Sequence, residues 1–369
     1  MIRMLWRRRF HGEGKTLPRR YAVGSRTVFG LSLFVVLCFS SLPAFSQASN
    51  DARVLMRRGQ TALDSGDYPR AVDYLEKAQQ LLPNKPETAR LLLLAYLQAG
   101  AFSKALGFGQ QSITTWPADA ELRHWLGLAY FKTGRNNEAR EELERSEKLD
   151  GSNPATHFDL ALVLLTQSEY VLASRQLERS VQLQPSNALA HVLLGRAYQN
   201  TNRSEDAIQQ FQKAVRLDPD VPLGHYHLGF AYESLGQTER ALTEYQTEVA
   251  RTPGNALVRY RLGHCLLVSG DAKSAVSELE RATTLDQSNP DAFYDLGKAA
   301  LLNGEIAKAV SALQKAIAIN PKDPSPHYQL ARALDQSGNK ADADFERERF
   351  LELKKSQPVT GGMATGRPQ

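Results

Sequence analysis

The sequence contains very few cysteines, and this limits how the fold can be held together. Only Cys38 and Cys265 occur in the 369 residues. If the amino-terminal segment is removed after export, as argued below, the remaining chain has one thiol and no internal disulfide. The fold must therefore be stabilised by packing.

The body of the chain also lacks an excess of positive charge, although the whole sequence is basic. The formal net charge is +5 and the isoelectric point is about 9.1. Residues 1–48 carry a net charge of +7, which leaves −2 for the rest of the chain. Nucleic-acid-binding domains concentrate positive charge at the binding surface, so this distribution predicts no nucleic-acid partner.

Sequence motifs typical of catalysis and metal binding are missing. The chain has no Gly-rich phosphate loop, no Cys-x-x-Cys, no His-Glu-x-x-His and no Gly-x-Ser-x-Gly. We therefore expect a protein that is not an enzyme and has neither a cofactor nor a bound metal.

The first 48 residues are organised like a secretory signal. Basic residues precede an apolar stretch at 28–45, and small residues follow at alternating positions, ending at Ser46 and Ala48. This order predicts a signal peptide over residues 1–48, with cleavage after either Ser46 or Ala48. We expect an exported protein that is periplasmic or secreted. The alternative is an inner-membrane protein anchored through an uncleaved segment at 28–45.

A repeat of 34 residues occupies most of the remaining sequence. Alanine recurs at this interval nine times, from Ala71 to Ala343, without an insertion or deletion. When the repeat is numbered from Ala52, these alanines stand at position 20. The spacing predicts nine tandem repeats, at residues 52–85, 86–119, 120–153, 154–187, 188–221, 222–255, 256–289, 290–323 and 324–357.

Each repeat is predicted to form two helices joined by a tight turn. Small residues at positions 8 and 20 allow the helices to approach, and large residues at positions 7, 11 and 24 fill the space beside them. Position 15 is Gly, Ser or Asn, which tolerate the left-handed backbone that ends a helix. Position 34 offers an N-cap and position 1 offers a proline suited to the first helical turn. The N-caps are Asp119, Asn153, Asn187, Asn255, Asn289 and Asp323, and the prolines are Pro86, Pro154, Pro222, Pro290 and Pro324.

Repeats 2 and 9 depart from this pattern. Repeat 2 has Leu93 at the small position 8 and carries Gly107 and Gly109 in its second helix, which we expect to be weak or bent. Repeat 9 has Arg347 at position 24 within a charged run, as expected of a polar capping helix. The segment 358–369 has no apolar periodicity and is predicted to be a disordered tail.

The best-formed repeat resembles a known family. The run from His225 to Tyr232, followed by Ala241, Tyr245 and Pro253, is similar to the tetratricopeptide repeat. The resemblance extends over residues 52–357. It implies an all-α fold, an α-solenoid in which helix-turn-helix pairs stack into a right-handed superhelix and the first helices line a concave groove.

Histidine recurs at position 4 of four repeats, at His157, His191, His225 and His327. Packed helices lie about 8–10 Å apart, whereas a shared metal needs each ligand atom within about 2 Å. Equivalent residues of neighbouring repeats therefore converge poorly on a metal. We interpret position 4 as a packing position that accepts a large, flat side chain.

The implied groove supplies the candidate binding residues. Position 5 is tyrosine in four consecutive repeats, and position 9, one helical turn further, is often cationic. Aromatic faces beside cations suit an extended peptide with acidic groups, or a glycan stacked on the rings; the tyrosines could also serve only packing. The predicted ligand-binding residues are Tyr226, Tyr260, Tyr294, Tyr328, Arg196, His264, Lys298 and Arg332.

Together these features predict a protein-binding scaffold or adaptor of the cell envelope that holds partner proteins or extended peptides in the groove. The alternative function is a polysaccharide-binding factor in polymer export or envelope assembly, which would use the tyrosines to bind a glycan. Membrane contact is expected only through an uncleaved amino-terminal segment.

Overall fold

The computed structural model describes residues 42–356, which belong to two compact units that meet after Thr201. All regular secondary structure in residues 42–356 is helical, which confirms the all-α helical repeat array. Residues 1–41 of the predicted signal segment and the predicted tail at 358–369 lie outside the described residues. Within the described range, no helix combines the length and apolar character needed to cross a membrane.

The amino-terminal unit contains nine helices within residues 42–201. They are α1 (Leu42–Asp64), α2 (Tyr68–Leu81), α3 (Pro86–Gln98), α4 (Phe102–Thr115), α5 (Ala120–Lys132), α6 (Asn136–Leu149), α7 (Pro154–Thr166), α8 (Tyr170–Leu183) and α9 (Ala188–Asn200). Helix α1 covers at least ten residues before Ala52, so the candidate cleavage residues Ser46 and Ala48 are helical.

The carboxy-terminal unit contains nine further helices within residues 202–356. They are α10 (Ser204–Leu217), α11 (Gly224–Ser234), α12 (Thr238–Arg251), α13 (Ala256–Ser269), α14 (Ala272–Leu285), α15 (Pro290–Leu302), α16 (Ile306–Ile319), α17 (Pro324–Gln336) and α18 (Lys340–Ser356). In both units, each helix packs against its neighbours in sequence.

Position 15 has a positive φ in all nine repeats, as the sequence predicts. Seven of these residues are glycines, and the other two are Ser168 with φ 61° and Asn202 with φ 60°. The left-handed residue turns the chain so that the amides after the helix donate hydrogen bonds to the last carbonyl oxygens of the helix. The amide of Asp67, for example, donates to the carbonyl oxygen of Ala62.

Small residues at position 8 set the distance between the two helices of a repeat. A Cβ placed on Gly297 would lie 2.5 Å from Cγ of Leu313, which occupies position 24 of the same repeat. Gly127 would meet Leu143 at 2.7 Å in the same way. A small residue at position 8 and a large residue at position 24 therefore allow the two helices of these repeats to pack closely, as predicted.

The predicted N-caps are confirmed, but one predicted helix start is wrong. All six position-34 side chains accept hydrogen bonds from amides of the following helix. Four of the five prolines begin a helix, whereas Pro222 lies before α11, which starts at Gly224 after the left-handed Leu223. Repeat 5 ends in Val221 rather than in a capping residue, and its buried side chain occupies the space beside Gly224.

The second helices of repeats 2 and 9 form despite the unusual residues that they contain. Helix α4 is uninterrupted from Phe102 to Thr115, so its two glycines do not break it. In α18, Ala343 is the one residue that the described structure buries, and Arg347 forms ion pairs with Asp335 and Asp344.

Candidate functional site

The predicted binding residues lie on the first helices of their repeats. Tyr226 is on α11, Tyr260 and His264 are on α13, Tyr294 and Lys298 are on α15, Tyr328 and Arg332 are on α17, and Arg196 is on α9 of the amino-terminal unit. The first three tyrosines are half-buried, and Tyr328 is 48% exposed.

Aromatic rings and one guanidinium form a continuous surface across α11 and α13. The rings of Tyr226 and Phe230 stack with centroids 6.5 Å apart and an interplanar angle of 15°. The guanidinium carbon of Arg261 lies 4.9 Å from the Phe230 centroid and 5.7 Å from that of Tyr260. We call these four residues, Tyr226, Phe230, Arg261 and Tyr260, the aromatic row.

Glu233 fixes the cation of the aromatic row in place. Its Oε1 lies 3.6 Å from Nη1 of Arg261, and its Oε2 accepts a hydrogen bond from the hydroxyl of Tyr245 at 2.5 Å. Burial, followed by the charge of Glu233, raises the pKa of Tyr245, which therefore stays protonated and able to donate. Arg261 is held by an acid of the preceding repeat rather than left free to move.

A second charged pair lies beside Tyr260. Nδ1 of His264 is 2.7 Å from Oδ2 of Asp295 in the next repeat, and this hydrogen bond raises the pKa of the imidazole. The His264 ring is 6.1 Å from the Tyr260 ring. Burial raises the pKa of Asp291, and the charge of Asp295 adds to the effect. The imidazole that we predicted to attract an acidic ligand is thus already paired with an acid.

The residues of the last two repeats do not extend the aromatic row. Burial raises the pKa of Tyr294, and Oε1 of Gln329 accepts a hydrogen bond from Nη1 of Arg332 at 3.0 Å. Tyr328 packs instead on Phe350 of α18, with centroids 5.4 Å apart. Lys298 and Arg332 form no ion pair with any residue in 42–356. They are the predicted cations that remain available to an acidic ligand.

Phe230 and three charged residues of this site are not among the predicted binding residues. Arg261 and Asp295 stand at position 6 and Glu233 at position 12, and the predicted candidates came only from positions 5 and 9. An acid at position 12 of one repeat and a base at position 6 of the next would have indicated the ion pair between Glu233 and Arg261. Such pairs join consecutive repeats and are visible only when two repeats are compared.

The position-4 histidines form contacts within their own repeat and with the end of the preceding one. Nε2 of His157 lies 3.0 Å from the carbonyl oxygen of Gly151, and Nε2 of His191 lies 3.1 Å from that of Pro185. His225 lies 2.6 Å from Glu244, and His327 lies 2.5 Å from Glu346; each carboxylate stands at position 23 on the second helix. Arg259 takes the same place in repeat 7, where Nη1 donates to Glu278 at 2.5 Å. In these repeats the side chain at position 4 supplies a hydrogen-bonding group as well as bulk, whereas three other repeats have Leu55, Ala89 and Phe293 there. Residues 42–356 contain no group of three His, Cys, Asp or Glu side chains suited to hold a metal.

Family models of tetratricopeptide repeats match much of the chain. Models described as "Tetratricopeptide repeat" match residues 56–120, 96–161, 226–292, 260–324 and 312–345, and one described as "TPR repeat" matches residues 201–236.

Curated proteins with similar sequences share about 30% identity over parts of the chain. Small glutamine-rich tetratricopeptide repeat-containing protein 2 of Mycosarcoma maydis is 30% identical over 30% of this chain and 31% of its own length. Vi polysaccharide export protein VexE of Salmonella typhi is 30% identical over 32% of this chain and 19% of its own. Photosystem I assembly protein Ycf3 of Synechococcus sp. (strain CC9311) is 30% identical over 34% of this chain and 70% of its own. The chain thus spans under a third of the length of the first two.

Solved structures share the fold at low sequence identity. The structure titled "Crystal structure of APC/C hetero-tetramer Cut9-Hcn1" matches 80% of this chain and 60% of its own, with a TM-score of 0.52 and 17% identity. Pseudomonas aeruginosa pilF matches 56% of this chain and 94% of its own, with a TM-score of 0.50 and 18% identity. At these identities the likeness concerns the helical repeat fold alone.

Proposed function

Because this chain belongs to the tetratricopeptide repeat family, we propose that it is a non-catalytic scaffold of the cell envelope that binds partner proteins or extended peptides. Arrays of this family are in general protein-interaction modules. The proposal adds to this a binding surface, a ligand chemistry and a location.

The aromatic row is the observation that carries the proposal. Its rings are half-buried, and Arg261 is held over them by Glu233. Side chains that are fixed before binding lose little conformational entropy when a ligand arrives. Aromatic and arginine side chains in such partly enclosed positions are also the residue types that dominate protein–protein binding energy. The row therefore suits an apolar or aromatic side chain of an extended peptide.

The charges near the row refine the chemistry of the ligand. His264 is paired with Asp295, whereas Lys298 and Arg332 have no acidic partner within residues 42–356. A peptide with an apolar residue for the row and an acidic residue for these two cations fits the surface best. The acid would gain a charge-assisted hydrogen bond that water provides less well.

A peptide-display library screened on the full chain tests this proposal. We expect selected peptides to combine an aromatic or large apolar residue with acidic residues. The Tyr260→Ala variant should weaken their binding at least tenfold, which corresponds to about 1.4 kcal/mol. Tyr170→Ala is the matched control, because Tyr170 is a half-buried tyrosine at the start of a second helix, α8. No selected peptide, or equal losses in both variants, would contradict the proposed surface.

The envelope location rests on the amino-terminal sequence. Basic residues, an apolar segment at 28–45 and small residues before Ala48 support export. Amino-terminal sequencing of the protein isolated from cells tests it. A mature chain that starts near Ser49 supports a periplasmic or secreted protein, and an intact apolar segment in the membrane fraction supports an inner-membrane anchor. An intact chain in the cytoplasm would contradict both.

A glycan ligand is the second candidate, and its support is weaker. One similar protein is named as a polysaccharide export protein, over 32% of this chain. The exposed ring of Tyr328 could stack on a sugar, but one face of Phe230 is already covered by Arg261. Titration with neutral and acidic oligosaccharides, followed by tyrosine fluorescence, separates the two candidates, because a peptide-only site gives no saturable change.

A further inference from the structure

At two of the eight junctions between consecutive repeats, the same two positions form a charged pair. The acid at position 25 of one repeat meets the lysine at position 19 of the next: Nζ of Lys104 lies 3.0 Å from Glu76, and Nζ of Lys308 lies 2.6 Å from Glu280. The same acid often accepts from the tyrosine at position 11, as Glu76 does from Tyr96 at 2.7 Å. The second helix of a repeat thus presents an acid to the repeat that follows.

An apolar contact accompanies this pair. Cγ1 of Val215, at position 28 of repeat 5, would be 3.0 Å from a Cβ placed on Gly224, at position 3 of repeat 6. Position 28 of one repeat therefore packs near position 3 of the next. Positions 25 and 28 together define the face that a second helix offers to its successor.

The first repeat has an open cleft on the side where a preceding repeat would pack. A cavity of about 480 Å³ lies between α1 and α2, and its lining includes Val54, Arg57, Arg58, Ala62 and Arg70. Arg58 stands at position 7, which is leucine in every other repeat, and Ala62 replaces the usual large residue at position 11. These substitutions leave the cleft empty of large apolar side chains.

The cleft is positively charged and has an exposed apolar residue. Its lining contains three arginines and one acid, Asp67, which is paired with Arg70. Arg57 and Arg58 form no ion pair with any residue in the described range. Val54, at position 3, is 41% exposed.

The last helix carries the complementary side chains and has no successor within the described chain. In α18, Glu348 occupies position 25 and Leu351 occupies position 28. Leu351 is 52% exposed, and Glu348 forms no ion pair with a described residue. These are the groups that a following repeat would cover.

We propose that α18 of one copy docks on the α1–α2 cleft of a second copy, so that repeat 1 of one molecule follows repeat 9 of another. Glu348 then meets Arg70 at position 19, and Leu351 packs on Val54. This contact joins two different surfaces, so it can continue from copy to copy and builds chains or rings rather than a two-fold symmetric dimer.

Two complementary end variants of the full chain test this contact. Arg70→Glu blocks the cleft, and Leu351→Asp blocks the α18 face. Both residues are exposed in the single molecule, so neither variant should unfold it. Thermal unfolding verifies that each variant stays folded.

Sedimentation velocity over a range of concentrations gives the readout. The unmodified chain should associate beyond the dimer as its concentration rises. Each variant alone should associate at least about tenfold more weakly, because it introduces a repelling or a desolvated charge. An equal mixture should form dimers but nothing larger, since each molecule retains one good surface. Arg53→Glu, on α1 outside the cleft lining, is the control and should behave like the unmodified chain.

Several results would overturn the proposal. An unmodified chain that stays monomeric at high concentration excludes self-docking and leaves the cleft to another acidic helix or to residues 1–41. Variants that associate as well as the unmodified chain exclude this surface. A mixture that remains monomeric shows that the two ends do not recognise each other.

Discussion

Leu93 and Gly109 exchange the side-chain sizes that other repeats place at the same two positions. Position 8 is glycine or alanine in the other eight repeats, whereas Leu93 is fully buried there. Position 24 is large in those repeats, but it is Gly109 in repeat 2. Cδ2 of Leu93 lies 3.4 Å from the place of a Cβ on Gly109, and Cδ1 of Leu126 in the next repeat lies 3.0 Å from it, so both leucines fill the space beside Gly109. In repeat 2 the large side chain therefore comes from the first helix and the small residue from the second, which is the reverse of the other repeats.

A double-mutant cycle measures this exchange. Leu93→Gly should destabilise the protein by about 3–5 kcal/mol, because it leaves a cavity and adds a helical glycine. Gly109→Leu alone should cost about 1–3 kcal/mol through overpacking. The double variant removes one of the two leucines beside position 109, so in urea unfolding its destabilisation should be smaller than the sum of the two single destabilisations by at least about 1 kcal/mol. Strict additivity would show that the two residues do not share one space.

The positions with simple steric requirements could be predicted from the sequence. The nine left-handed turn residues, including Ser168 and Asn202, followed from backbone preference alone. The N-caps followed in the same way. The start of α11 could not be predicted, because Pro222 satisfies the local rule and only the burial of Val221 overrides it. Local rules failed where a tertiary contact competes with them.

The candidate site was less predictable than the fold. Tyr226 and Tyr260 were predicted from the helix face that the family implies. Arg261 and its acid Glu233 were not, because the pair forms between repeats at positions with no fixed residue type. Long charged side chains reach several partners, so their contacts depend on the spacing of the helices rather than on the sequence period.

Two glycine substitutions should change stability in opposite directions. Gly297→Ala places a Cβ 2.5 Å from Leu313, and we expect it to destabilise the protein by about 1–3 kcal/mol. Gly107→Ala has no atom within 4 Å and lies in the exposed part of α4. It should stabilise the protein by about 0.5–1 kcal/mol, since alanine restricts the unfolded chain. Urea unfolding of both variants gives the signs, and a stabilising Gly297→Ala would refute the close approach of α15 and α16.

The pair of His264 and Asp295 should make stability depend on pH. Asp295 raises the pKa of His264 above the value of 6.5 expected in the unfolded chain. The contribution of the pair is therefore fully present below about pH 6.5 and is lost as the pH rises through the higher folded pKa. Asp295→Asn should lower the imidazole pKa in an NMR titration and reduce this pH dependence.

The titration also has a defined negative result. If the pKa of His264 is unchanged by the substitution, the hydrogen bond between His264 and Asp295 does not exist in solution.

The single thiol outside the predicted signal segment should be protected while the protein is folded. Cys265 is buried on α13, its sulfur lies 3.7 Å from the carbonyl oxygen of Thr238, and burial raises its pKa to about 11. Only the thiolate reacts with disulfide reagents, so at pH 8 the folded protein offers roughly a hundredfold less reactive species than a thiol with a pKa of 9. In a Cys38→Ser background, we expect modification at least a hundredfold slower in buffer than in concentrated urea. Equal rates under the two conditions would mean that α13 opens readily. Protection of this kind is what would allow a lone thiol to persist in an oxidising compartment without forming disulfides between copies.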